Sequence, residues 1–346
     1  MPGRASVVAR VPGTGGGRSL ALSAHLDIVP EGDAGRWMHP PFGGVIDEST
    51  RTIYGRGAID DRAGVVIAIA VIETLLAVHM PLAGDIVVHF VLENETTGNG
   101  TLLCLEAGHR ADAAVIIDGT RGDRAIIAHA GQLQFTVTTR GAAAPVTVSH
   151  AGVNAAEILC ELLIELRQRT LALNESRPEA WRVFPSPFQL STQRIAADSI
   201  ALTLPEAASA TCYATFPPPV SVIGMQQLIA RWSHEFAARR GLEALPDLSW
   251  DGFAADPVET DGGEIARVLA RVATDLGTAI PVLSPSTGPS DLRHFAAAGI
   301  PAMLYGPGRG GNPHRPDEGY RLDDLPVMVR LFVELAAAWC GCAATA

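Results

Sequence analysis

Positive charge and long apolar runs are scarce in this chain of 346 residues, and each shortage excludes a class of protein. Lys and Arg together number 26 against 37 Asp and Glu, which gives a net charge of −11. Because no basic block offsets this charge, a nucleic-acid partner is excluded. The longest apolar run, Ala63–Val78, is interrupted by Glu73 and falls short of the roughly 20 residues that a membrane span needs.

Cysteine is also sparse, since the five cysteines are scattered and odd in number. This pattern is typical of reduced thiols rather than of a disulfide framework. Only Cys340 and Cys342 are close together, and a single pair does not have the spacing of a zinc site. The first 17 residues lack the apolar core of a signal peptide. We therefore expect a cytoplasmic protein with no membrane partner.

Strands and helices alternate at both ends of the sequence. The length suits two domains, and a hydrophobic content of 47% is enough for a substantial core. The alternation predicts an α/β domain with a mostly parallel sheet, formed by residues 1–128 and 242–346. Its predicted strands are Ser19–Ser23, Ile86–Leu92, Ala113–Ile117 and Ala302–Tyr305, and its predicted helices are Ala63–Val78, Gly263–Leu276 and Leu325–Trp339.

The pattern changes between residues 129 and 241. A strand–helix–strand–strand–helix order there predicts a small inserted α+β (ferredoxin-like) domain. The predicted strands are Gln132–Thr139, Ser199–Leu204 and Ala210–Thr215, and the predicted helices are Asn154–Leu171 and Met225–Arg240.

Five separated segments each place a potential metal ligand beside a strand end or a turn. The five side chains are His25, Asp60, Glu95, Asp118 and His314. Taken singly, each has an ordinary explanation, such as a surface pair, a helix cap or a solvated strand end. Together, two imidazoles and three carboxylates suit two zinc ions that share a carboxylate. Asp27 follows His25 by two residues, so on an extended chain it can accept a hydrogen bond from the imidazole.

The order and context of these segments resemble a known family. Motifs at Ala24–Pro30, Gly55–Asp60, Glu95–Gly100, Tyr305–Gly308 and His314–Glu318 are similar, in sequence and spacing, to the two-zinc amidohydrolases. That family includes acetylornithine deacetylase, succinyl-diaminopimelate desuccinylase, aminoacylase and glutamate carboxypeptidase, and the resemblance covers nearly the whole chain. It implies a zinc-dependent hydrolase of a small N-acyl amino acid or related amide that carries a carboxylate. Cobalt or manganese would be acceptable substitutes for the two zinc ions.

The resemblance also implies a role for each position. Asp60 would bridge two metals, with His25 and Asp118 completing one site and Glu95 and His314 the other. Asp27 would be the hydrogen-bond partner of His25. The inserted domain would match the family's lid, which also supplies a homodimer interface.

Two positions depart from the family pattern, and both fall on the chemistry rather than on the ligands. The family has a Glu base directly before the Glu95 position, whereas this chain has Asn94, which accepts no proton at ordinary pH. Pro145 stands where the lid normally carries a carbonyl-polarising His, and His150 is a candidate replacement. Glu93 is a candidate substitute base, although the family commonly has an acid there besides the base. General acid–base catalysis contributes about 10²–10⁴-fold, so we expect impaired or altered chemistry.

Three functions therefore stay open. The first is a slow metal-dependent amidase. The second is a non-hydrolytic enzyme that uses the same site for condensation, cyclisation or acyl transfer, and the third is a non-catalytic protein that binds metal and ligand. Arg293 and the acidic pair Asp317–Glu318 are candidates for substrate contact, and bracing of the C-terminal loops is the alternative for them.

Overall fold

The computed structural model describes residues 4–120, 122–308 and 311–342. They form two compact units. Of the described residues, those within 1–128, 260–284 and 290–346 form the first unit, and those within 129–259 and 285–289 form the second.

Strands and helices alternate along much of the chain. The strands are β1 (Val7–Val11), β2 (Leu20–His25), β3 (Val45–Asp47), β4 (Thr52–Tyr54), β5 (Ile86–Val91), β6 (Ala113–Ile116), β7 (Arg124–His129), β8 (Gly131–Arg140), β9 (Gln189–Asp198), β10 (Ala207–Phe216), β11 (Asp247–Ser249), β12 (Ala254–Ala255), β13 (Val258–Glu259), β14 (Val282–Ser286), β15 (Ala302–Leu304) and β16 (Gly319–Arg321). The helices are α1 (Ala63–Ala77), α2 (Asn99–Glu106), α3 (Ala155–Ala172), α4 (Val222–Arg240), α5 (Gly263–Asp275), α6 (Leu292–Ala297) and α7 (Asp324–Cys340). Across the described ranges, no helix combines the length and the apolar character that crossing a membrane requires.

The first unit is built on a sheet in which six strands follow the order β1-β5-β2-β6-β15-β7. Strands β5, β2, β6 and β15 run parallel to one another, and β1 pairs antiparallel with β5 at the edge. Every residue of β2 and β6 is buried, as expected for inner strands of a parallel sheet covered by helices. Apolar faces of α1, α5 and α7 pack with β2, β5 and β6 in one core. The predicted mostly parallel α/β fold is confirmed.

The second unit has the ferredoxin-like order of elements. Strand β8, helix α3, strands β9 and β10, helix α4 and strand β11 follow one another along the chain. The strands form an antiparallel sheet in the order β11-β8-β10-β9, with β12 also paired to β8. Buried side chains of α3 and α4 share one core with this sheet.

Three details differ from the sequence predictions. Residues 242–259 group with the inserted unit rather than with the α/β unit, because β11 and β12 pair with β8. These strands are only three and two residues long, so no alternating pattern reveals them. Ser199–Leu204 is not a strand but part of the connection between β9 and β10. Strand β9 was missed because most of its side chains are exposed, which leaves no apolar signal.

Candidate metal centre

The five predicted ligand positions converge at one edge of the central sheet. His25 is the last residue of β2, Glu95 lies in the loop after β5, and Asp118 follows β6. Because these strands are parallel, their carboxyl ends meet at the same edge. Asp60 lies in a short helical turn, Ala58–Arg62, that precedes α1, and His314 lies in the loop before β16.

The side chains form two groups of three that share Asp60. The first group is His25, Asp60 and Asp118, and the second is Asp60, Glu95 and His314. Within each group the potential ligand atoms all lie within 4.8 Å of one another. Asp60 Oδ1 is 2.8 Å from His25 Nε2, and Asp60 Oδ2 is 2.9 Å from His314 Nε2. Each oxygen of Asp60 thus faces a different histidine, which is the geometry of a bridging carboxylate.

The orientation of His25 fits metal binding. Its side chain is 1% exposed, and its Nδ1 lies 3.0 Å from the main-chain oxygen of Asp27. A carbonyl oxygen only accepts, so Nδ1 carries a proton and donates, and Nε2 is directed at Asp60. Such a hydrogen bond, donated by the ring nitrogen that faces away from the metal site, is the usual support of a ligating histidine. Each group also offers one imidazole and two carboxylates, a donor set that suits zinc.

The clustered carboxylates favour a bound cation. Burial, together with the charge of Asp60, raises the pKa of Asp118 to about 6. Hydrogen bonds to Asp60 and Glu95 raise the pKa of His314 to about 10. Burial alone would lower the pKa of His25, but the nearby carboxylates of Asp27 and Asp60 outweigh burial and raise it to about 12. Two protonated imidazoles would then offset part of the negative charge of the three carboxylates, and two divalent metal ions would displace those protons and offset more of it.

The observed contact of Asp27 with His25 differs from the predicted one. Its carboxylate Oδ1 is 3.6 Å from His25 Nδ1, and the imidazole donates to its main-chain oxygen instead. The carboxylate accepts the main-chain N–H groups of Asn94 and Glu95, at 3.2 and 3.1 Å. The prediction assumed extended chain through Asp27, but β2 ends at His25. Asp27 therefore connects the loop that carries His25 to the loop that carries Glu95.

Asp61 is a supporting residue that sequence reasoning missed. Its side chain is fully buried, and burial raises its pKa well above the ordinary value. Its carboxylate accepts the main-chain N–H of His25 at 3.0 Å and of Gly64 at 3.1 Å. It thus ties the end of β2 to the first turn of α1. The doublet Asp60-Asp61 was the available signal.

The side chain of Glu93 makes its contacts with residues other than the candidate ligands. Its carboxylate accepts from Thr97 Oγ1 at 2.6 Å and from Asn99 Nδ2 at 3.4 Å, and Arg4 lies 3.5 Å away. Its backbone is in the left-handed region, with φ of 67°. These contacts hold a tight turn, and they do not direct the carboxylate to Asp60. The hypothesis of Glu93 as a substitute base gains no support from them.

Arg293 and the acidic pair brace loops. Arg293 donates to the main-chain oxygens of Thr97 and Ser290, at 2.7 and 3.0 Å. Asp317 accepts the main-chain N–H of Met38 at 2.7 Å, and Glu318 is buried against Arg56. Bracing of the loops therefore describes these contacts better than substrate contact does. In the second unit, Pro145 directly precedes the short turn Val146–Ala151. The exposed His150 lies within that turn.

A cavity of about 500 Å³ adjoins the two groups. It is lined by Ile59, Asp60, Asp118, Gly119, Gly308, Gly311, Asn312, Pro313 and Arg315. Arg315 is exposed and brings a cation to this cavity, a feature that sequence reasoning missed. Its position directly after His314 was the available signal.

The chain is similar to known proteins over most of its length. The family model for Peptidase family M20/M25/M40 matches residues 21–338. The succinyl-diaminopimelate desuccinylase of Alkalilimnicola ehrlichii is 26% identical over 330 residues, which cover 91% of this chain and 82% of that protein. The protein of the same name from Rhodospirillum centenum is 27% identical over 350 residues, covering 93% and 82%.

Solved structures share the fold at lower identity. An M20 family metallo-carboxypeptidase from Sulfolobus solfataricus has a TM-score of 0.75 at 15% identity, over 96% of this chain and 87% of that chain. The YXEP protein of Bacillus subtilis, described as a dinuclear metal binding peptidase, has a TM-score of 0.69 at 19% identity, over 97% and 85%.

Proposed function

The chain belongs to the peptidase family M20/M25/M40, and on that premise we propose that it is a zinc-dependent amidohydrolase with a weakened proton-transfer step. Its substrate would be a small N-acyl amino acid or related amide. The observation that carries the proposal is the pair of donor groups that share Asp60 beside a cavity of about 500 Å³. Family membership supports a hydrolase, and the donor set supports two zinc ions, with cobalt or manganese as substitutes.

Each residue of the centre has a defined task in this proposal. His25 and Asp118 would hold one ion and Glu95 and His314 the other, with Asp60 between them. When bound, the ions would polarise the substrate carbonyl and make water a competent nucleophile near neutral pH. Asp27 and Asp61 fix the main-chain positions of Glu95 and His25, so the ligands are held before any ion arrives.

Proton transfer is the weak step because of Asn94. A neutral amide donates and accepts hydrogen bonds, but it cannot take a proton from water and deliver it to the leaving nitrogen. The neighbouring carboxylates that are not candidate ligands are engaged elsewhere: Glu93 with Thr97, Asp317 with Met38, and Glu318 with Arg56. Loss of this step would cost about 10²–10⁴-fold in rate.

The cavity favours a substrate with a carboxylate. Arg315 lines the cavity together with Asn312, and a guanidinium binds a carboxylate with two parallel hydrogen bonds. In Arg315→Gln we expect KM for an N-acyl amino acid to rise about tenfold with little change in kcat. The exposed Arg321, which does not line this cavity, provides the matched control Arg321→Gln.

Metal content and hydrolysis, measured on the same sample, test the proposal. We expect about two zinc per chain, slow hydrolysis of N-acetyl and N-succinyl amino acids, and a rise of about 10²-fold or more in Asn94→Glu. Asn99→Glu adds the same charge five residues further on, at the first residue of α2, and serves as the control. Retention of zinc after His25→Ala and Asp60→Ala would refute the assignment of the ligands.

The other two functions give different results in the same experiment. A non-hydrolytic enzyme would bind two zinc and would lose or divert its own reaction in Asn94→Glu. A purely binding protein would hold zinc and ligand, show no turnover, and gain hydrolysis in Asn94→Glu.

A homodimer through the inserted unit is a further part of the proposal. Strand β9 forms one edge of its sheet, and most of its side chains, including Ile195, are exposed. An exposed strand edge offers unpaired main-chain groups to a second copy. Light scattering should give twice the mass of one chain, and Ile195→Lys should shift the equilibrium towards the monomer.

A further inference from the structure

Helix α1 is apolar on its outward side as well as on the side that packs into the core of the first unit. The outward side carries Val66, Ile69 and Leu76, which are 46%, 42% and 58% exposed. Glu73 is the single charged residue among the 15 of this helix. A surface helix normally has charged and polar residues on its outer face, and a helix that is apolar all round is normally covered. The outward side of α1 therefore has the character of a contact surface.

A groove of about 420 Å³ runs between α1 and the N-terminal part of α7. Its lining residues include Ala70 and Thr74 of α1 and Leu325, Val329, Arg330 and Val333 of α7. Val66 lies one helical turn before Ala70, so the outward side of α1 borders the groove. Together they form one apolar surface, which we call the α1–α7 face. Contiguous apolar surfaces of this kind mark interaction sites on soluble proteins.

The α1–α7 face carries one charge of each sign, on different helices. Glu73 lies on the outward side of α1, and Arg330 lines the groove from α7; both are exposed. Neither side chain forms an ion pair with another described residue. Glu334 lies one turn further along α7 and does not line the groove. The face therefore offers an acid and a base that are both available to a partner.

A second copy of the same face matches these charges. In a two-fold symmetric contact, a residue that meets a second residue of the partner is accompanied by the reverse contact. When Glu73 of each copy lies against Arg330 of the other, two ion pairs form and both apolar grooves are covered. A partner of a single charge sign would satisfy only one of the two residues. We propose that two copies of this chain associate through the α1–α7 face, separately from the dimer proposed for the inserted unit.

The face is small, so the association should be weak. Stable interfaces use about 20–30 residues a side and bury about 1,600 Å² in total, whereas one side of two helices forms this face. We therefore expect a Kd on the order of 100 µM. In dilute solution only the dimer of the inserted unit would be observed.

Sedimentation velocity of the full chain, from about 10 to about 500 µM, tests the proposal because this range brackets the expected Kd. The average mass should double across the range. Ile195→Lys should lower the mass at the dilute end and keep the concentration-dependent doubling. This result separates the α1–α7 face from the dimer of the inserted unit, and neither measurement depends on hydrolysis.

Charge reversal locates the contact. Glu73→Arg and Arg330→Glu each place like charges against one another twice, so each should raise Kd at least tenfold. The double variant restores two opposite pairs and should associate within about twofold of the parent. The matched control is Glu106→Arg, at an exposed position of α2, which should leave Kd unchanged. All three positions are exposed, so the variants should fold like the parent.

Three results would overturn the proposal. The first is a mass that stays constant over the whole range of concentration. The second is a doubling that neither single charge reversal weakens, which would place the contact on another surface. The third is a double variant that associates no better than the single variants, since this would show that the two charges do not meet across copies.

Discussion

Replacement of Glu318 by Gln should destabilise the first unit strongly, because it breaks a buried ion pair. The Arg56 and Glu318 side chains are 2% and 0% exposed, and Arg56 Nη1 donates to Glu318 Oε2. The second oxygen, Oε1, accepts the main-chain N–H groups of Ile59 and Asp60, each at 3.2 Å. Glu318 therefore balances a buried guanidinium and fixes the turn that carries the bridging carboxylate.

The expected magnitude follows from these contacts. Removal of one partner of a buried ion pair costs about 3–5 kcal/mol, because the other charge stays buried without compensation. Gln keeps the volume and one carbonyl oxygen, so part of the bonding to the turn survives, and we expect about 3 kcal/mol. For a unit of this size that corresponds to a fall in Tm of about 6–12 °C. Loosening of the turn should also lower zinc affinity about 10–100-fold, the usual cost of losing a group that orients a ligand.

Thermal unfolding of three variants tests this reasoning. Asp323→Asn breaks the exposed pair of Arg51 and Asp323, whose side chains are 56% and 48% exposed, and should cost less than about 1 kcal/mol. The double variant Arg56→Met with Glu318→Gln removes both buried charges and should be more stable than Glu318→Gln alone. A fall in Tm of less than 2 °C in Glu318→Gln, or a double variant that is less stable still, would refute the account.

Two further predictions concern the loop that carries Glu95 and the protons of the centre. Gly98 has φ of 67°, and an added Cβ would lie 2.6 Å from Asp291 Oδ1 and against Arg293, so Gly98→Ala should cost more than about 3 kcal/mol and weaken zinc binding. Gly108→Ala, at φ of 87° with no atom within 4 Å, should cost only about 1 kcal/mol in the same unfolding assay, and equal losses would contradict the clash. The raised pKa values of His25 and His314, about 12 and about 10, stabilise the metal-free protein below pH 6.5, and this stability is lost as pH rises through those values. Zinc binding at pH 7 should therefore release about two protons, as measured by calorimetry in buffers of different ionisation enthalpy, and release of none would mean that the imidazoles are neutral before zinc binds.

Much of the fold was predictable because it depends on local patterns. The apolar content of Ala63–Val78 predicted α1 to within one residue, and helices α3 and α7 were predicted equally closely from their apolar stripes. The buried strands β5 and β6 were visible as short runs of aliphatic residues. The exposed strand β9 and the very short β11 have no such pattern, so their pairing partners define them.

The candidate site was likewise predictable only in part. The five ligand positions were predicted from motifs at turns and strand ends, and the structure brings all five together. Their assignment as ligands remains a prediction until zinc is measured. The role of Asp27 was predicted only in part, because periodicity describes an extended chain and β2 ends two residues earlier. Arg293 was interpreted from its charge alone, which does not reveal that Thr97 and Ser290 supply its acceptors.

The sequence by itself determined the family and most of the element types, and it predicted the ligand positions, because these depend on residue identity and on short spacings. Only the tertiary structure decided which carboxylates are engaged elsewhere and where the inserted unit ends. These properties depend on contacts between segments far apart in the chain, such as Arg56 with Glu318 and β8 with β11. A hydrogen bond or a buried charge is defined by the atoms around it, and the chain brings those atoms together only by folding.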